Sequence, residues 1–83
     1  MWYVYILRCR DGSLYAGTTL DLKRRLKEHN EDDKLGSKFV RSRRPVSLVY
    51  SEKLPTKNLA LKRELEIKGW NRHKKLELIK SVP

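Results

Sequence analysis

The chain opens on "WYVYILRC", residues 2–9, a run of aromatic and β-branched residues without Gly or Pro that predicts a strand. "RDG" predicts a turn, and "LYAGT", residues 14–18, a second strand. Beyond it the apolar spacing becomes helical. Leu22 and Leu26 lie one turn apart, which predicts a helix from Leu20 to about Asn30, capped by Thr18 or Thr19 and with Asp21 in its first turn. "EDDKLGSKFVRSRRP" is polar and irregular, punctuated by Gly36 and Pro45, with room for a short helix over Ser37–Ser42. "VSLVYS", residues 46–51, alternates as a third strand. Thr56 is the expected N-cap of a helix that runs to about Lys68 and stops at Gly69, and "NRHKKLELIKS" forms a last short helix. The order β-β-α-(α)-β-α-α predicts an α/β (α+β) fold, a small three-stranded antiparallel sheet flanked by helices, in one domain over residues 1–83.

The first turn decides which residues share a face of the sheet. A two-residue Asp-Gly loop would pair Arg10 with Ser13 and put Tyr5 and Tyr15 on opposite faces. A three-residue loop, Arg10-Asp11-Gly12, ends on a glycine suited to the left-handed position of a G1 bulge. It pairs Leu7 with Tyr15 and Tyr5 with Gly17, so both tyrosines share a face with no side chain opposite Tyr5. The three-residue loop is the expected one. Taken alone, the two tyrosines are ordinary half-buried strand aromatics.

The helices add two unusual residues. On a wheel of about 100° per residue, Leu22, Leu26 and His29 form one narrow arc. Arg25 lies at its edge, while Lys23, Arg24 and Lys27 point to solvent. Arg25 is either a snorkelling side chain beside a packed His29 or a guanidinium ready for a phosphate. In the helix after Thr56, Ile67, Ala60, Glu64, Lys68, Leu61 and Leu65 form the inward arc, with Lys62, Arg63 and Glu66 on the polar side. An inward carboxylate needs a cation. Glu64 therefore pairs with a base such as Lys68, or it binds a metal that keeps several waters, as Mg²⁺ does.

Charge narrows the class of partner. Twenty Lys and Arg against ten Asp and Glu give +10 in 83 residues, a field that attracts polyanions, nucleic acid first and acidic membranes second. No apolar run is long enough to span a membrane, and "MWYVYIL" has no signal-peptide pattern, so a cytoplasmic protein is expected. Cys9 is the only cysteine, which excludes an internal disulfide and a Cys-rich zinc site. In "KFVRSRRP", Lys38, Arg41, Arg43 and Arg44 are candidate phosphate contacts, although each by itself is as well explained as a solvated charge. Trp2 and Trp70 read as core or rim aromatics.

Tyr3-Val4-Tyr5, Tyr15-Ala16-Gly17, Arg25 ten residues after Tyr15, and the Glu64 helix "ALKRELEIK" together resemble the GIY-YIG nuclease superfamily, in its small stand-alone branch. The resemblance covers essentially the whole chain. It implies the same fold and metal-dependent hydrolysis of DNA phosphodiesters, with branched, nicked, damaged or single-stranded DNA as candidate substrates and a larger repair or recombination partner as an option. On that pattern Tyr5 or Tyr15 helps activate the attacking water. Arg25 stabilises charge on phosphorus, and Glu64 holds one Mg²⁺ or Mn²⁺ ion. His29 matches a histidine of several branches. Thr18 stands where relatives carry a polar or basic residue and either touches phosphate or caps the helix. Asn71 is the nearest match to a late asparagine, at a short spacing from Glu64. Tyr3 replaces the first glycine of the first motif, and Ala16 is smaller than its counterpart. The rival reading from another class is a basic nucleic-acid-binding module that is non-catalytic or depends on a partner.

Overall fold

The computed structural model describes residues 1–81. Its strands are β1 (Trp2–Arg8), β2 (Leu14–Thr19) and β3 (Ser47–Leu54), and its helices are α1 (Leu22–Glu31), α2 (Lys38–Arg41), α3 (Lys57–Lys68) and α4 (Arg72–Lys80). The expected order of elements is the observed one. The sheet is antiparallel with order β2-β1-β3, so β1 is central and β2 and β3 are edges.

The first turn is the three-residue loop. Gly12 has φ +87°, and Cys9 and Ser13 close the loop through a 2.9 Å N–H···O bond. The register that follows pairs Tyr5 with Gly17 and Leu7 with Tyr15. Residues that face each other across an antiparallel pair project from one face, so the sheet sorts its side chains into two cores. Val4, Ile6 and Ala16 pack against Ala60 and Ile67 of α3, with Trp2, Trp70, Leu78 and Ile79 around them. Tyr5, Leu7 and Cys9 pack on the other face against Val40 and Val46, with Tyr15, Leu22 and Leu26 beside them.

Three local expectations are corrected. Neither Thr18 nor Thr19 caps α1. Thr19 stays in β2 opposite Tyr3, and its hydroxyl accepts from the Asp21 N–H. Asp21 is the cap, its carboxylate accepting from Arg24 N at 3.0 Å, and the helix begins at Leu22 rather than Leu20. The third strand extends to Leu54 rather than Ser51 because Glu52, facing the α3 side, is paired with Arg63 at 2.8 Å and accepts from the Tyr50 hydroxyl. In α3 the buried face centres on Ala60 and Ile67 and takes in Arg63, whose side chain is only 25% exposed, while Leu65 stands 70% exposed. Thr56 caps α3 as expected, accepting from Leu59 N. Gly69 ends the helix as expected, with an ordinary right-handed φ of −78°.

Candidate active site

Tyr5 sits in the middle of the central strand, 3% exposed. The glycine opposite it makes room for its ring. A Cβ placed on Gly17 would lie 2.5 Å from the Tyr5 hydroxyl, closer than any real side chain tolerates. His29, fully buried on α1, meets that hydroxyl at 2.8 Å through Nε2. Its Nδ1 accepts from the backbone N–H of Ser37 at 3.3 Å. A neutral imidazole that accepts at Nδ1 carries its proton on Nε2, so His29 donates to the Tyr5 oxygen. The phenolic hydrogen is then free to point elsewhere. Burial, followed by the neighbouring Arg25 charge, lowers the His29 pKa to about 4, which keeps the ring neutral at ordinary pH.

Arg25 lies on the same side of α1, one turn before His29. Its guanidinium donates to Glu28 at 3.0 Å and to the Leu35 carbonyl at 2.6 Å, which fixes the plane of the fork. Burial works against its charge, but Glu28 and the Tyr5 oxygen outweigh that and hold its pKa above the ordinary value. Burial pushes Tyr5 up to about 12, with Arg25 pulling the other way and the Tyr15 and Glu64 charges adding to the rise. The free protein thus keeps the Tyr5 proton at neutral pH.

Glu64 arrives from the helix on the other face of the sheet. The α3 helix packs along β1 and β2, and its Glu64–Lys68 turn reaches the edge strand at Tyr15 through the Lys68 ammonium. Glu64 is 16% exposed and holds Lys68 Nζ at 2.8 Å. The same ammonium lies 5.7 Å from the centre of the Tyr15 ring. Tyr15 also meets His29 edge-on, at 5.3 Å between ring centres, and stacks on Phe39 at 5.9 Å. Tyr5, Tyr15, Arg25, His29 and Glu64 are therefore gathered around the β2 edge.

The other candidates lie differently. Thr18 faces Val4 and so projects from the opposite face to Tyr5 and Tyr15. Asn71 is the N-cap of α4, accepting from Lys74 N at 2.9 Å, so its amide oxygen is engaged in ending the α3–α4 turn. Arg44 donates to the carbonyls of His29 and Asp32 and to the Asp33 carboxylate. Arg41 donates to the Asp33 carbonyl. Arg43 donates to Asp11 and the Phe39 carbonyl and stacks 4.0 Å over the Phe39 ring. These three arginines knit the segment between α1 and β3 and carry His29 with it, so each of these candidate phosphate contacts also has a structural partner. Lys38 is exposed at the start of α2 and remains available. Two participants were not foreseen. Ser37 sets the His29 tautomer through its backbone, and Phe39 backs Tyr15. The only signal for Phe39 was that it is the sole phenylalanine, set in a basic segment.

The donor set suits a hard divalent cation. Glu64 already holds a cation, and no cluster of three or more His, Cys, Asp or Glu side chains that could hold a metal occurs among the described residues. A single carboxylate leaves most coordination positions to water and phosphate oxygens, the arrangement that Mg²⁺ or Mn²⁺ accepts. No helix among the described residues is long and apolar enough to cross a membrane.

Comparison with known proteins finds relatives over nearly the whole chain. The profile of the GIY-YIG catalytic domain matches residues 1–77. A UPF0213 protein of Staphylococcus saprophyticus is 52% identical over 77 residues, 93% of this chain and 92% of that protein. A UPF0213 protein of Staphylococcus aureus is 53% identical over 78 residues, 94% of this chain and 93% of its own. The solution NMR structure of a UPF0213 protein from Bacillus halodurans superposes with a TM-score of 0.60 at 43% identity, covering 96% of this chain and 84% of that one.

Proposed function

The chain belongs to the GIY-YIG catalytic domain family, and on that premise we propose that it is an endonuclease that hydrolyses DNA phosphodiesters with one bound Mg²⁺ or Mn²⁺. The observation that carries the reading is the Tyr5 phenol held by His29 beside the Arg25 guanidinium, with the Glu64 carboxylate across the β2 edge. Glu64 would hold the ion, which would supply positive charge at the scissile phosphate and lower the pKa of nearby oxygen acids.

Tyr5 acts as the base that takes a proton from the attacking water. It starts protonated, with a pKa of about 12, so its own proton must first pass to solvent, a loss that the Arg25 charge and a bound cation would favour and that the phosphate's negative charge would oppose. His29 Nε2–H and Arg25 then hold the phenolate oxygen. His29 is a donor in this scheme and not a second base, because the Ser37 N–H occupies Nδ1. Arg25 stabilises charge growing on the phosphate oxygens, a task its two-pronged fork suits better than an ammonium. Tyr15, packed between His29 and Phe39, walls the site and keeps the imidazole in place.

Exposed lysines such as Lys38 supply sequence-independent attraction to the DNA backbone. Purified protein with Mg²⁺ or Mn²⁺ on plasmid, single-stranded and branched DNA tests the proposal. Metal-dependent cleavage that collapses in Arg25→Ala and Glu64→Ala supports it. Tight, salt-sensitive binding with no cleavage under any of these conditions would replace it with the binding-module reading, or with a subunit that needs a larger partner.

A further inference from the structure

We propose that Lys68 is a built-in stand-in for the divalent ion: it holds the Glu64 carboxylate until the ion arrives and must leave for the ion to bind. The inference rests on the assignment of Glu64 as the ion's ligand. Three observations carry it. Glu64 is only 16% exposed, so water alone solvates its carboxylate poorly and a cationic partner takes the place of that solvation. Lys68 supplies that cation at 2.8 Å from one turn further along α3. Its side chain is 46% exposed, so the ammonium reaches Glu64 from the solvent side on a flexible stem and can withdraw without disturbing the core.

The pair also lies inside the site and not on a remote surface, since Lys68 Nζ is 5.7 Å from the Tyr15 ring centre. That ring face is the next partner for the displaced ammonium, which stays beside the incoming phosphates. Arg63 shows the contrast. It pairs with Glu66 on the same helix and with Glu52 of β3, but the Arg63–Glu52 pair is equally shielded on both sides at 25% exposure and leans on Trp70, as a permanent bridge does. A lysine in place of an arginine is the weaker and more easily displaced partner for a carboxylate.

The test is a Mg²⁺ titration of the isotope-labelled protein without DNA, followed by NMR shifts around Glu64, on wild type, Lys68→Met, Glu64→Gln and Lys62→Met. Lys62 is exposed on the same helix and controls for the loss of one positive charge. Lys68→Met is expected to lower the half-saturating Mg²⁺ concentration roughly tenfold, because the competing cation is gone. Lys62→Met is expected to leave it nearly unchanged. A purely structural lysine would give the reverse, since a Glu64 left unsupported would bind the ion no better or worse. Unchanged or weaker Mg²⁺ binding in Lys68→Met, with Glu64→Gln abolishing the saturable shift, overturns the stand-in role and leaves the Glu64 site intact. If Glu64→Gln titrates like wild type, the ion's site itself is wrong and the role of Lys68 falls with it.

Discussion

Gly17→Ala isolates the geometry on which the proposed chemistry depends. The added methyl would lie 2.5 Å from the Tyr5 hydroxyl and 2.6 Å from the ring carbon bearing it. Ordinary contacts between such atoms are about 3.5–4.0 Å, so one of the two must retreat by about 1 Å. Gly17 is fixed by its pairing with β1 in the sheet, and Tyr5 is 3% exposed, so the ring tip takes the displacement against a packed wall. The His29 hydrogen bond of 2.8 Å then stretches beyond hydrogen-bonding range. Overpacking of this kind costs about 1–3 kcal/mol. In a domain of this size each kcal/mol lowers Tm by about 4–8 °C, which differential scanning calorimetry measures directly. A catalytic group displaced by about 1 Å loses on the order of a hundredfold in rate. Single-turnover DNA cleavage at a temperature where the variant is fully folded is the assay. A folded Gly17→Ala that cleaves within about threefold of wild type would refute the claim that Tyr5 must stand where it does.

Other consequences follow from the same contacts. Gly69→Ala is expected to raise Tm, with a gain of about 0.4–1 kcal/mol, because its φ of −78° suits alanine and its Cβ would meet nothing closer than 3.5 Å. Gly12→Ala, at φ +87°, is expected to destabilise by about 1–2 kcal/mol despite open space around it; calorimetry checks both. His29 is neutral in the fold, with its pKa lowered to about 4, so the unfolded chain binds the extra proton first as the pH falls. Its stabilising contribution is complete above about pH 6.5 and is lost toward pH 4, by on the order of 3 kcal/mol, and Tm against pH should flatten there in His29→Gln. Arg44→Met is expected to lower Tm while leaving the salt dependence of DNA binding nearly unchanged, because its guanidinium is engaged with His29, Asp32 and Asp33. Lys38→Ala, by contrast, is expected to reduce that salt slope with little change in Tm.

The hairpin register was readable because one glycine at a turn leaves few loop geometries, and the register then assigns every side chain to a face. The cap of α1 was not readable. Thr18, Thr19 and Asp21 are all competent caps, and the choice fell to Asp21 because the sheet pairs Thr19 with Tyr3 and keeps it extended. The end of β3 was hidden for a related reason. Glu52 and Lys53 look like loop residues until Arg63 on a distant helix neutralises Glu52. The arginine-rich segment showed its charge in the sequence but not its partners, most of which are backbone carbonyls ordered only after folding. The helix wheels brought Arg25 and His29 toward the sheet and turned Glu64 inward. Only the packing of α3 along β1 and β2 brings Lys68, and the Glu64 it holds, to Tyr15.

The central claim is that the Tyr5 hydroxyl takes part in phosphodiester hydrolysis, and Tyr5→Phe tests it with the smallest change. The ring still fills its place over Gly17, and only one oxygen and its bond to His29 are lost. Single-turnover cleavage with Mg²⁺ and saturating protein, on the DNA form that wild type cuts best, is the measurement. Tyr5→Phe is expected to bind that DNA as wild type does and to cleave it at least about a hundredfold more slowly. Cleavage by Tyr5→Phe at the wild-type rate would contradict the central claim.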